Sequence, residues 1–507
     1  MSRVLGAALL GVDGIPIEVE VRISSQLPRV DIVGLPEAAV RESAARVRAA
    51  IASVGQRFPD QRVTVNLAPA GLRKSGAGLD LPIAVGVLAA AGILEARSLK
   101  GLALVGELAL DGRLRPVRGA LALTLAARDA GCHRVVVPEQ NAGEAGVTPG
   151  VEVLAAGNLG AVLAHLVGAE PLPRARAALP ASTPDSGPDL AEVRGQVSAK
   201  RALEIAAAGG HALLLRGAPG SGKTMLARRL PGILPGLRFD EALEVTRIHG
   251  AAGQLAAGSP LVAQRPFRAP HHTASVAGLL AGGNPPMPGE VSLAHRGVLF
   301  LDELPEFDRR SLESLRQVLE RRRVIIARAG RSCDFPAHFQ LVAAANPCPC
   351  GWLGSGARDC RCDDGAIARY TARISGPLLD RIDLQVLVQP VAWKDLDAPG
   401  TGATSGEVRE RVARAQAVQK DRGAGVGYRT NAEIPDSALD AVVRATPEAR
   451  RLLGHAVERC ALSARAARRV LKVARTIADL AGEDRTRPPA IAEALSYRGE
   501  PAGSRER

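Results

Sequence analysis

An octapeptide at residues 217–224, GAPGSGKT, constrains this chain more than any other stretch. HALLLR precedes it and MLARRL follows, so an apolar strand runs into a Gly-rich turn that opens a helix. That order predicts a parallel α/β sheet in which the strand is buried on both faces. The loop Gly217, Ala218, Pro219, Gly220, Ser221 and Gly222, through the backbone N–H groups of its residues other than Pro219 and with the helix N-terminus behind them, suits a chain of phosphates. Lys223 would reach the terminal phosphates and Thr224 would ligate magnesium. ATP and Mg²⁺ are the cofactors predicted.

Downstream, GVLFLDEL is an apolar run that delivers Asp302 and Glu303 at its end. The first carboxylate is placed to hold the metal and the second to orient an attacking water. A third strand, FQLVAAAN, ends at Asn346, which either touches the γ-phosphate or water or simply caps a turn. In GPLLDRIDL, Arg381 stands between two aspartates, where an Arg is most often part of a surface ion pair.

Around this segment the chain divides by pattern. Residues 1–167 alternate strand-like and Ala-rich helical runs and predict an α/β domain, which begins with a hairpin turning at Asp13-Gly14. Residues 168–188 are rich in Pro, Ser and Ala and predict a linker. Residues 189–393 form the second α/β segment, 394–497 read as a helical bundle, and 498–507 as a disordered tail. The longest apolar stretch, LPIAVGVLAAAGIL, is shorter than the ~18 to 20 residues that span a bilayer, so no membrane partner and a cytoplasmic location are expected.

In the cytoplasm thiols stay reduced, which gives the stretch CPCGWLGSGARDCRC a metal-binding reading over a disulfide one. Cys348, Cys350, Cys360 and Cys362 would fill a closed tetrahedral zinc shell, with a metal-free loop as the alternative. Magnesium prefers oxygen and is excluded there. The adjacent His271 and His272 diverge in any regular element and make a poor chelating pair, so a structural or pore-side role is expected. A net charge of +13 favours polyanions such as DNA, although Arg-rich composition alone accounts for it equally well. With aromatic residues at only 2%, a nucleic-acid grip would fall mainly on phosphates.

Several blocks carry a resemblance: GQVSAKRALEIAAAGGHALLLRGAPGSGKT, RPFRAPHHTAS, GEVSLAHRGVLFLDELPEF, AAANPCPCG, LLDRIDL and LSARAARRVLKVARTIADL, in this order. Together they resemble the YifB/ComM family of magnesium-chelatase-like AAA+ ATPases over nearly the whole chain. The resemblance implies an AAA+ P-loop core with a C-terminal helical lid. It implies that Asn346 is the sensor on the fourth core strand, that Arg381 is an arginine finger acting on a neighbouring subunit's ATP, and that Arg465 is the second sensor. A finger acting in trans requires a homo-oligomer, usually a hexameric ring. The resemblance also implies a helix-two insert around SVAGLLAGGNPPMPGEVSL and a hairpin around RRVIIARAGRSCDFPAHF, which makes Arg323, Arg328 and Arg331 candidate DNA contacts.

RKSGAGLDLPIAVGVLAAAG and GELALDGRLRPVRGAL resemble the serine-lysine proteolytic domain of Lon. The nucleophile position falls at Gly78 and the lysine position near Leu121, and neither residue can act. Ser75 and Lys74 lie nearby in sequence, and a proteolytically inactive collar or DNA-facing platform is expected. The resemblance implies a hexameric DNA helicase that promotes branch migration during integration of single-stranded DNA in natural transformation. A magnesium- or cobalt-chelatase motor and a protein-remodelling ATPase are the alternatives.

Overall fold

A computed structural model describes residues 1–74, 76–175, 187–255, 259–328, 331–356, 358–391 and 402–498. It is a mixed α/β structure with a helical C-terminal region.

The N-terminal sheet has seven strands, in the order Arg29–Val33, Arg62–Ala68, Asp13–Ser24, Ser2–Leu10, Leu102–Leu104, Arg134–Pro138 and Glu152–Ala156. Alternation in IPIEVEVRI buries Ile17, Val19 and Val21 on one face, as a half-covered antiparallel strand requires. The apolar stretch at 81–94 supplies a helix, Asp80–Ala90, whose residues from Asp80 to Leu88 are all buried. Among the described residues no helix is long and apolar enough to cross a membrane.

Two expectations are corrected here. The first hairpin pairs Leu10 with Asp13, so it turns at Gly11-Val12 and Asp13 already belongs to the second strand. Burial decides this: Val12 is sealed into an apolar cluster with Ile248 and Phe335 of the second α/β segment. The linker expected from residue 168 also begins later. Ala155 N donates to Pro173 O at 2.9 Å and Ala175 N to Val153 O at 2.8 Å, which binds this stretch to the edge of the sheet. The remainder of that segment, 176–186, lies outside the described residues, as does the tail from 499.

The second sheet is parallel throughout, in the order Phe267–Arg268, Val298–Leu301, Gln340–Ala345, Leu213–Arg216 and Leu384–Leu387. LLL, VLFL and LVAAA are buried along their length because helices cover both faces. Parallel strands all end on one side of the sheet, so the loops that follow them meet there. The helices Ser405–Gly423, Pro447–Arg459, Ala464–Leu480 and Pro488–Ser496 make up the C-terminal region.

The two α/β units touch directly. Gly119 N donates to Gly250 O at 3.0 Å, and Arg247 pairs with Asp13 at 3.1 Å. Glu144 is buried at the same seam, where it accepts from Leu121 N at 3.1 Å.

Candidate functional site: a phosphate loop and a separate arginine cleft

The Gly-rich loop leaves the Leu213–Arg216 strand and closes onto the helix Lys223–Ala227. Gly217 is forced at its position, because a Cβ there would collide with the Val388 carbonyl of the neighbouring chain segment. Lys223 Nζ donates to Gly217 O (2.8 Å), Ala218 O (2.9 Å) and Asn346 Oδ1 (3.1 Å). Burial pushes the Lys223 ammonium pKa down, while Asp302 and Glu303 pull it up.

Thr224 Oγ1 donates to Asp302 Oδ2 at 2.7 Å, and Glu303 N donates to Asp302 Oδ1 at 2.9 Å. Asp302 is therefore oriented through both oxygens, and Thr224 with Asp302 forms the hard-oxygen pair that suits magnesium. Ser221 Oγ is buried with no hydrogen-bond partner among the described residues, an orphaned polar group inside the loop. Orphaned hydroxyl, ammonium and oxygen pair together fit a magnesium triphosphate. When bound, it supplies the labile phosphoanhydride and a Lewis acid at its oxygens.

Glu303 has φ +51°, a left-handed backbone that costs a non-glycine residue about 1–2 kcal/mol. Held this way, its side chain stands half exposed beyond the strand end, where His272 Nδ1 lies 3.4 Å from Glu303 Oε2. His271 instead turns to Thr273 Oγ1 at 2.8 Å. The structure thus places His272, but not His271, against the Glu303 carboxylate. The His pair follows the two-residue strand Phe267–Arg268, which runs parallel to the one that delivers Glu303, so both loops emerge at the same edge, a pairing that the sequence does not reveal.

Arg381 and Arg465 lie elsewhere. They line a cleft of about 460 Å³ together with Arg322, Lys420 and Arg469, and no phosphate-loop residue lines it. Arg381 Nη1 donates to Pro377 O at 2.6 Å, and its other nitrogen pairs with the Glu320 carboxylate. Burial and then Arg316, Arg465 and Arg469 push the Arg381 pKa down. Below it, Asp383 is buried at the cleft wall. Burial would raise its pKa, but Arg469 and His211 outweigh burial and hold the carboxyl well below the usual carboxylate range.

Four thiols converge in the loop after Asn346. Sγ atoms of Cys348, Cys350, Cys360 and Cys362 all lie within 4.8 Å of one another. The hairpin Arg323–Arg328 with Arg331–Pro336 leaves Arg323 exposed and paired with Asp334 at 2.8 Å, while Arg328 and Arg331 face each other in register. The side chains of Arg328 and Arg331 lie outside the described residues.

In the N-terminal unit, a side chain at Gly78 would face Val117 and Val105, and Leu121 is fully buried. Lys74 is buried with its ammonium donating to Gly34 O at 2.9 Å and to Pro69 O. Ser75 lies outside the described residues.

The family described as magnesium chelatase, subunit ChlI, matches residues 189–396; ChlI models also match 19–141 and, for its C-terminal part, 402–498. Competence protein ComM of Haemophilus influenzae is 44% identical, over 98% of this chain and 97% of its own. The chain belongs to the YifB/ComM family of magnesium-chelatase-like AAA+ ATPases. An uncharacterized protein of Mycobacterium tuberculosis is 44% identical over 98% of both chains, and YifB of Escherichia coli is 43% identical over 98% of this chain and 97% of its own. Membership of an AAA+ family implies use of a nucleotide and Mg²⁺, which the phosphate loop, with Asp302 beside Thr224, fits.

Proposed function

We propose that this AAA+ ATPase is a cytoplasmic motor acting on DNA, a hexameric branch-migration helicase that supports recombination of incoming single-stranded DNA. The observation that carries this reading is the hairpin Arg323–Arg328 with Arg331–Pro336, in which Arg323 is exposed and Arg328 and Arg331 pair at the tip, a few residues before the strand Gln340–Ala345 that leads to Asn346. A basic loop so placed couples a phosphate-backbone grip to the hydrolysis site. The net charge of +13 and the relative described as a competence protein support the same reading.

The arginine cleft supports the oligomer. Arg381 and Arg465 are set apart from this chain's own phosphate loop, so a neighbouring subunit's ATP is the partner they suit. Asn346 acts as sensor through Lys223. A structural zinc in the four-cysteine loop completes the proposed inventory.

The test is branch migration of a synthetic four-way junction by the full-length protein with ATP and Mg²⁺, with Lys223→Ala alongside. Migration by the wild type alone is expected. No binding to forked or single-stranded DNA at low salt, where phosphate contacts are strongest, would overturn the reading in favour of a chelatase-type or protein-remodelling motor.

A further inference from the structure

We propose that zinc in the four-cysteine loop sets the ATP affinity of the phosphate loop, through a direct contact of Gly351 with Pro219. This rests on the zinc reading above and adds what the metal controls.

The sulfur positions already describe a coordination shell. Cys348 and Cys350 Sγ are 3.4 Å apart, Cys348 and Cys360 3.6 Å, and Cys350 and Cys360 3.7 Å. A tetrahedron with zinc–sulfur bonds of about 2.3 Å has edges of about 3.8 Å. Cys362 closes the set from the far end of the loop, accepting from Cys350 N at 3.4 Å.

The turn that carries the first two ligands is closed by Gly351 N donating to Cys348 O at 3.0 Å. Gly351 has φ +82°, and a Cβ there would lie 2.5 Å from Pro219 Cδ and 3.8 Å from Asn346 Cγ. No side chain fits between the metal loop and the phosphate loop. The Cys348–Gly351 turn therefore buttresses Pro219 on one side and Asn346 on the other, and Ala218 O and Asn346 Oδ1 are both acceptors of Lys223. Without the cation the cysteines take up protons and only weak S–H···S contacts hold the loop, so stripping the metal loosens the turn and weakens its support of the residues that position the lysine.

The experiment uses the full-length protein. Zinc content is measured by mass spectrometry, and the affinity for a fluorescent ATP analogue with Mg²⁺ is compared in loaded, chelator-stripped and zinc-reloaded protein. One zinc per chain and roughly tenfold weaker nucleotide binding after stripping, restored on reloading, are expected. Linkage is reciprocal, so ATP should shift the equilibrium of zinc transfer to a competing colorimetric chelator toward the protein by a comparable factor, and Lys223→Ala should lose that effect. In Pro219→Ala zinc should stay bound while the loaded-to-stripped ratio falls toward one. Cys362→Ser should bind nucleotide as stripped protein does; if it fails to fold, the stripping and zinc-transfer measurements decide without it. Equal affinity in loaded and stripped protein overturns the coupling and leaves the zinc reading intact. Less than about half an equivalent of zinc overturns both.

Discussion

The phosphate loop and the arginine cleft are both built for anions, yet they differ in completeness. In the first, Lys223, Thr224, Asp302, Glu303 and Asn346 converge from three adjacent strand ends of one chain. In the second, Arg381, Arg465 and Arg469 crowd together, with Glu320 and Asp383 as their only carboxylate partners among the residues named for the cleft. Burial first, and then the guanidiniums of Arg316, Arg465 and Arg469, depress the Arg381 pKa, an unfavourable arrangement that a triphosphate would relieve. One site carries its own charge balance, whereas under the proposed function the other would be balanced by a neighbouring subunit's ATP.

The comparison breaks most readily at Arg381. Arg381→Ala should lower ATP turnover by about a thousandfold while leaving nucleotide affinity unchanged. Mixing Arg381→Ala with Lys223→Ala chains should restore part of the activity, because each supplies what the other lacks. If the mixture stays inactive, the cleft does not serve a neighbour's site. Glu303→Gln should cost about a hundredfold in turnover, the scale of a lost general base, with ATP still bound. Turnover near wild type would remove Glu303 from its assigned role.

A third prediction separates the two sites through the helix Phe239–Ala251. Its first turn lines the cleft with Glu241, and at its far end a Cβ on Gly250 would strike the Glu144 carboxyl of the N-terminal unit. Burial raises the Glu144 pKa to about 7, against hydrogen bonds at Leu121, Asn141 and Ala120 that lower it. Because the folded value lies above the unfolded one, the stability it contributes is fully present below pH ~4.5 and is lost as pH rises through about 7. The loss is at most of order 3 kcal/mol. Thermal midpoints measured from pH 5 to 8 should fall for the wild type and stay level for Glu144→Gln, with ATP affinity the same in both. A parallel fall in the two proteins would show that Glu144 is not the titrating group.

Local chemistry makes the phosphate loop legible in the sequence: GAPGSGKT allows few backbones, and three apolar runs with polar last residues can only be strands delivering those residues to one edge. The cleft is not legible in the same way. Arg465 and Arg469 lie one turn apart on the lid helix Ala464–Leu480, but Arg381 is far from them in sequence, and their meeting depends on how that helix crosses the core, which no local pattern specifies. The first hairpin shows the same limit. Asp13-Gly14 is the better turn sequence, yet burial of Val12 in the partner unit moves the turn two residues back. The four cysteines are legible as a cluster, but the contact of Gly351 with Pro219 is not, since it joins two loops more than a hundred residues apart.

The smallest expected effect lies at His272. Its ring stacks beside that of His271, with centroids 4.1 Å apart, and its Nδ1 points at the carboxylate that would orient water. It touches neither the phosphate loop nor Asp302 in any hydrogen bond of the structure, so it is a positioning residue acting through Glu303. A free carboxylate on a half-exposed, left-handed residue samples several rotamers, and the neighbouring imidazole, an ion-pair partner when protonated, restricts that sampling by up to about 1 kcal/mol. His272→Ala should therefore reduce kcat about fivefold with KM unchanged, whereas His272→Asn, which can still donate to the carboxylate, should recover most of the rate. A rise in KM equal to the fall in kcat/KM would place His272 in nucleotide binding instead. Full activity in His272→Ala would mean that Glu303 is oriented by its backbone alone, and the phosphate site would then be complete without the loop from the neighbouring strand.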